Sequence, residues 1–241
     1  MTPVSSHADA HADRDPVGSW PSADALDRPV QLTRSLPRRK RALDMVVATL
    51  ALVAIAPAMA AVAVAIRLTS SGPVIFRQVR VGLHGRPFVL YKFRTMRVGR
   101  DDAAHRQMIV DELKPGARPP APDGVYRLAS DDRITPIGTW LRRTSFDELP
   151  QLWNVLTGSM SLVGPRPALP WEVELFDPRF RERENLPPGI TGLWQVSGRN
   201  LVSTPAMLEL DLQYVQSWSL RLDLSILART PGVLLRGDGA R

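Results

Sequence analysis

A run of about 22 apolar residues, Met45 to Ile66, constrains this chain more than any other feature. As a helix it is long enough to cross the ~30 Å hydrocarbon core of a bilayer. Arg38, Arg39, Lys40 and Arg41 precede it, and Arg67, Arg77 and Arg80 follow it. Pro57 lies near its centre, where it removes a backbone donor and kinks a helix. Four readings of the run compete. A secretory signal suits the Ala-x-Ala triplets around Ala56, Ala58 and Ala60, but not the long polar segment ahead of the run. A single transmembrane span is the plainest reading. A buried helix of a soluble protein suits the alternation of Ala with Val, Leu and Ile, but not the length or the cationic collar. A re-entrant helix, entering and leaving on one side, is favoured by two features. Basic residues at both ends place both ends on the cytoplasmic side, and Pro57 supplies the turning point. Each half of about 11 residues reaches roughly 16 Å, about mid-bilayer. Asp44 then sits at the mouth, in the headgroup zone, with Arg41 three residues earlier as its pairing partner.

The run divides the chain into three. Residues 1–36 are rich in Ala, Asp, Ser, Pro and His without an apolar period, and read as a disordered tail. Residues 37–69 form the membrane anchor. Residues 70–241 read as a mixed α/β globular domain. Val74 to Val81 and Phe88 to Arg94 are strand-like, and Gly82 to Arg86 makes the turn of a hairpin between them. Lys92 and Arg94 share parity, so one face of that hairpin carries both. Alternating charge is more often simply a solvated face. Lys114 to Gly124 is a proline-rich loop. Thr204-Pro205 starts a helix reaching about Ser217, and the Leu220, Leu222, Leu224, Leu227 segment follows Trp218. These elements suit either an interfacial position in the bilayer or ordinary core packing.

Charge narrows the partners. The 31 Lys and Arg against 24 Asp and Glu give a formal net charge of +7, which favours an anionic partner. Nucleic acid fits the charge alone, because no basic stripe is interleaved with aromatics. There is no cysteine, so disulfides, thiolate metal sites and cysteine catalysis are excluded. Four scattered histidines make no metal-ligand spacing.

The chemistry concentrates in Arg142-Arg143-Thr144-Ser145-Phe146-Asp147-Glu148-Leu149-Pro150-Gln151-Leu152 and in Gly164-Pro165-Arg166-Pro167. Pro150 fits only the first turn of a helix, which places the N-cap near Asp147, with Leu149, Leu152, Val155 and Leu156 as the apolar face and Gly158 as the end. The ordinary reading makes Asp147 a cap and Glu148 a first-turn acid. That reading accounts for the acids but not for the arginines around them. Two carboxylates among Arg142, Arg143 and Arg166 imply a third, anionic party, and phosphate is the natural one. An ionised Asp147 beside a neutralised phosphate can attack phosphorus. Glu148 can hold Mg²⁺, which shields both anions. Arg199 lies in the glycine-punctuated segment Pro187 to Arg199 and brings one more cation.

These stretches resemble the bacterial sugar transferases, the monotopic polyprenyl-phosphate phosphoglycosyl transferases. The resemblance rests on Lys40-Arg41-Ala42-Leu43-Asp44 before the apolar run and on Gly72-Pro73-Val74-Ile75-Phe76-Arg77-Gln78. It continues through Tyr91-Lys92-Phe93-Arg94-Thr95-Met96, Asp147 to Leu152, Gly164 to Pro167, Pro188-Gly189-Ile190-Thr191-Gly192 and Trp218-Ser219-Leu220, in family order. It implies an α/β (mixed α+β) globular catalytic domain on a re-entrant membrane helix, with interfacial amphipathic helices. The implied location is the bacterial inner membrane, with the domain facing the cytoplasm. The implied reaction moves a sugar-1-phosphate from a nucleotide diphosphate sugar, such as a UDP-sugar, to polyprenyl (undecaprenyl) phosphate. Such a reaction starts exopolysaccharide, capsule, O-antigen or related glycan assembly. By the same resemblance Asp147 is the nucleophile of a ping-pong mechanism and Glu148 binds Mg²⁺. Arg142 and Arg166 hold phosphates, joined by Lys92, Arg94 and Arg199. Membrane lipids are implied as surroundings, and a homodimer is compatible with it. The short tail marks the compact form of the family. Two positions depart from the common pattern: Ala56 stands where many members have Ser before the proline, and Ser159 where many have an acid. The rival from another class is a catalytically silent, basic membrane-surface scaffold for assembly enzymes, against which the Asp147–Glu148 pair speaks.

Overall fold

The computed structural model describes residues 37–97, 103–114 and 133–236. The N-terminal tail and most of the proline-rich loop lie outside these residues. Helix α1, Arg38–Thr69, takes in the whole apolar run. It is the one helix among the described residues long and apolar enough to cross a membrane. Its 32 residues span about 48 Å at 1.5 Å each. Helical structure continues through Pro57, so the interruption is confined to the donor that proline lacks.

One face of α1 packs on the globular domain along its length, with Ile55 and Met59 half-buried beside Pro57. At the start, Lys40, Asp44 and Ala48 are buried, one turn apart. At the far end, Val62 and Ile66 pack with Phe93 and Leu141. Ala56, Pro57 and Ala58 between them are exposed, as are Leu50, Val53 and Leu68. An apolar surface of this extent on one helix has no place in water.

Strands β1 (Ile75–Val81) and β2 (Pro87–Phe93) form the expected antiparallel hairpin, with Phe76 opposite Lys92 and Val79 opposite Val89. Helices α2 (Ala103–Glu112), α3 (Pro136–Thr144) and α4 (Gln151–Thr157) follow. Next come strand β3 (Ser161–Val163), helix α5 (Pro170–Leu175) and a 3-10 stretch, Pro178–Asn185. Strand β4 (Gly189–Thr191) pairs in parallel with β3. Helices α6 (Leu193–Val196), α7 (Thr204–Gln216) and α8 (Leu220–Arg236) complete the order. The domain is therefore mixed α and β. The largest apolar cluster joins Ala48 of α1 to Phe88, Leu90, Val155, Leu162, Tyr214 and Ile226. Residues of α8 thus face the domain core as well as its surface, with Ile226 fully buried and Leu224 exposed.

Contrary to the sequence expectation, Arg41 and Asp44 bond different partners. Asp44 is buried and accepts from Ser161 Oγ at 2.8 Å and Leu162 N at 3.0 Å. Arg41 turns to the last carbonyls of α4, donating to Val155 O and, at 2.7 Å, to Leu156 O. Arg41 finds neutral carbonyls, and the cation that acts most on Asp44 is Lys40. A helix C-terminus has unpaired carbonyls, and a cation there also meets the negative end of the helix dipole.

Candidate active site

Asp147 and Glu148 lie where α3 ends and α4 begins. Thr135 caps α3 by accepting from Gly138 N at 3.0 Å, and Pro136 fills the first position. A Cβ at Gly138 would sit 2.0 Å from Thr95 O. Only glycine lets α3 press onto the chain leaving β2, and that docking carries Arg142 to Thr95 Oγ1 at 3.1 Å. Ser145 closes α3 in the left-handed conformation, φ 57° and ψ 20°.

The helix start differs from the sequence expectation. Phe146–Glu148 is a 3-10 turn headed by Ser145, and α4 begins only at Gln151. The bonds run three residues back: Glu148 N to Ser145 O, Leu149 N to Phe146 O, Leu152 N to Leu149 O. Pro150 has no N–H to give Phe146 O, so the tighter turn takes that place. Asp147 is thus a buried member of the turn and no cap. The end of α4 is as expected, with Gly158 at φ 89°.

Lys92 Nζ reaches Glu148 Oε1 at 2.7 Å. Asn154 sets this reach. From the middle of α4 it accepts from Tyr91 N at 3.1 Å and donates to Val89 O at 2.7 Å, in the manner of a neighbouring strand on the edge of β2. Ser159 Oγ accepts from Asn154 Nδ2 at 3.1 Å, so this position braces the bracket.

Electrostatics separate the two acids. Burial raises Asp147 to about 6, with the neighbouring charge of Glu148 adding to the rise and Lys92 and Arg142 opposing it. Burial also works to raise Glu148. There the charge and hydrogen bond of Lys92, with the charges of Arg199 and Arg166, win and hold it below its ordinary value. Lys92, Arg142, Arg166 and Arg199 therefore all act on the carboxylate pair. Arg94 does not join them. It is buried, and donates to Ser70 O and Oγ at 2.9 and 2.8 Å, fastening the end of α1 to the domain.

No sequence signal marks Ser145, yet it is built into the site. Arg199 Nη2 donates to Ser145 Oγ at 2.8 Å. Both residues have positive φ, 57° and 50°, so two strained positions hold one another beside the acids. Nη1 of Arg199 is buried without a partner among the described residues.

The sequence expectation is that Glu148 holds Mg²⁺. Among the described residues no three His, Asp or Glu side chains converge as a metal cage. Mg²⁺ is commonly held by one or two carboxylates plus substrate phosphates. Adjacent Asp147 and Glu148, with Lys92, Arg142, Arg166 and Arg199 acting on them, fit that donor set.

A family model for bacterial sugar transferases matches residues 36–237. The chain belongs to that family. It is 40% identical to a UDP-glucose:undecaprenyl-phosphate glucose-1-phosphate transferase of Caulobacter vibrioides, over 91% of this chain and 86% of the relative. It is 41% identical to an undecaprenyl-phosphate galactose phosphotransferase of Salmonella typhimurium, over 83% of this chain and 41% of the relative. It is 44% identical to the galactosyl transferase CpsE of Streptococcus agalactiae, over 70% of this chain and 36% of the relative. The chain thus spans about two fifths of the length of several of its curated relatives and most of the Caulobacter one.

Proposed function

We propose that this chain moves a sugar-1-phosphate from a UDP-sugar to undecaprenyl phosphate, as the names of its Caulobacter and Salmonella relatives describe for those proteins. One observation carries the reading: a buried Asp147, pressed against Glu148, stands among four cations at a strained turn. Such a pair suits in-line phosphoryl transfer, which depends on positioning and charge neutralisation.

In the first half-reaction a carboxylate oxygen of Asp147 attacks the phosphorus next to the sugar. The bond from that phosphorus to the oxygen of the nucleoside monophosphate breaks, and the leaving group takes the electron pair. In the second, an oxygen of the lipid phosphate attacks the same phosphorus and Asp147 departs as carboxylate. Arg142, Arg166 and Arg199 hold the phosphate oxygens, and Lys92 keeps Glu148 ionised. Mg²⁺ held by Glu148 would neutralise charge on the diphosphate.

The form of α1 supports a membrane location. One face of the helix packs on one domain along its length, Ile55 and Met59 included, while Ala56, Pro57 and Ala58 between them stay exposed. This supports a re-entrant anchor in the inner membrane, with the domain on the cytoplasmic side where basic residues collect.

The deciding experiment incubates lipid-solubilised protein with Mg²⁺ and a panel of UDP-sugars. Intact mass should show a phosphosugar adduct with one donor, and none in Asp147→Asn. Release of nucleoside monophosphate that persists in Asp147→Asn would remove Asp147 as nucleophile. A scaffold would release none with any donor.

A further inference from the structure

The loop Gly164-Pro165-Arg166-Pro167 is tied down along its length. Gly164 N donates to Thr191 O at 3.0 Å, and Gly189 N donates to Pro165 O at 2.9 Å. Arg80 Nη1 donates to Pro167 O at 3.0 Å. A Cβ at Gly189 would sit 2.1 Å from Gly164 N, so loop and strand meet backbone to backbone. Arg166 itself is held by residues far away in the chain. Its N–H donates to Asp211 Oδ2 at 3.2 Å, and its carbonyl accepts from Arg183 Nη2. Arg183 Nη2 also bonds Asp211 Oδ2 at 2.5 Å, so one carboxylate oxygen receives both. The two side chains are 4% and 1% exposed. Trp194 completes the seat, with its ring 5.8 Å from the guanidinium carbon of Arg166.

As a source of stability this pair is poorly made. Arg183 Nε and Asp211 Oδ1 are buried without a partner among the described residues. Incompletely bonded buried ion pairs are commonly no more stable than apolar residues of the same size. Its geometry, in contrast, fixes both peptide groups of one arginine whose charge reaches Glu148. We propose that Arg183 and Asp211 are positioning residues that aim Arg166 at the phosphates of the sugar donor. The proposal rests on the phosphoryl-transfer reading and adds to it a residue pair outside the phosphate-binding set. A fixed backbone matters because a displacement of about 1 Å in a positioning group can cost on the order of a hundredfold in rate.

The test is a double-mutant cycle on the donor half-reaction, using full-length protein in lipid and single-turnover release of nucleoside monophosphate. Arg166→Ala should lower kcat/KM for the donor roughly ten- to a hundredfold, as expected for loss of a charge-assisted hydrogen bond. Arg183→Met with Asp211→Leu should keep or raise the melting temperature, yet lower kcat/KM about tenfold. Combined with Arg166→Ala, the pair replacement should cause no further fall, because the group it aims is gone. Should the double replacement misfold, Asp211→Asn and Asp211→Leu give the comparison: Asn keeps an acceptor for the Arg166 amide and should retain more of the rate than Leu, and equal rates overturn the role. An undiminished rate with the pair replaced, or a full second drop in the Arg166→Ala background, overturns the positioning role. The underlying reading fails differently: no release by the wild type, or a wild-type rate in Arg166→Ala.

Discussion

Asp147 and Glu148 are adjacent in the chain, yet their surroundings pull their titrations apart. Asp147 is 8% exposed and is pushed up to about 6; Glu148 is held down by Lys92 and two arginines. A nucleophile must be ionised, so the donor half-reaction should rise with pH through about 6 and level off above it. Stopped-flow release of nucleoside monophosphate between pH 5 and 8 checks this, and a flat profile sinks the assignment. Stability moves the other way. A carboxyl raised in the folded state binds its proton more tightly than in the unfolded chain, so stability falls as pH rises from about 4 to 6. Asp147→Asn removes that penalty. At pH 7 it should stabilise the protein by at most about 3 kcal/mol while abolishing the adduct. The gain should vanish in melts at pH 4. The sequence made this pair legible because carboxylates among arginines are a local signal. It hid Ser145 and Arg183, whose roles depend on partners 54 and 28 residues away.

At the scale of elements, the hairpin and the end of α4 followed from short-range rules of alternation and a C-terminal glycine. The start of α4 did not, because the missing donor of Pro150 acts three and four residues upstream. Arg94 shows the limit of strand parity. Same-face placement with Lys92 held only while the strand lasted, and β2 ends at Phe93. The link between β2 and α4 rests on Asn154, a residue with no sequence signal beyond being polar within a helix. Asn154→Leu leaves Val89 O and Tyr91 N without that bracket. The loss should be about 2–4 kcal/mol, since each buried unmet polar group costs roughly 1–3 kcal/mol. Lys92 should also lose its aim, so the donor half-reaction should slow more than in a surface control. A thermal melt and the same release assay measure both. A variant as stable as wild type would mean that water replaces the bracket without loss.

For the whole molecule the question is how α1 meets the membrane. A span sends its two ends to opposite faces. Here the first turns are fastened by a buried pair, Lys40 Nζ to Asp223 Oδ2 at 2.7 Å, and by Asp44 on β3. The last turns are fastened by Val62 and Ile66 on Phe93 and Leu141, and by Arg94 at Ser70. One domain cannot hold both ends of a spanning helix across an intact bilayer. The cationic collar and Pro57 are what suggest a re-entrant helix in the sequence, whereas Lys40–Asp223 is invisible there, because its partners are 183 residues apart. Ala56 offers no side-chain hydroxyl to the backbone that Pro57 leaves without a donor. The chain has no cysteine, so single cysteines can report topology without background. Arg39→Cys and Leu68→Cys flank the run at exposed positions, and Ala58→Cys marks its centre. In sealed right-side-out vesicles a membrane-impermeant maleimide should modify none of the three. In inverted vesicles it should modify positions 39 and 68 and spare 58. Labelling of one flank in each orientation would establish a span, and the fastenings at the two ends would then have to break on insertion.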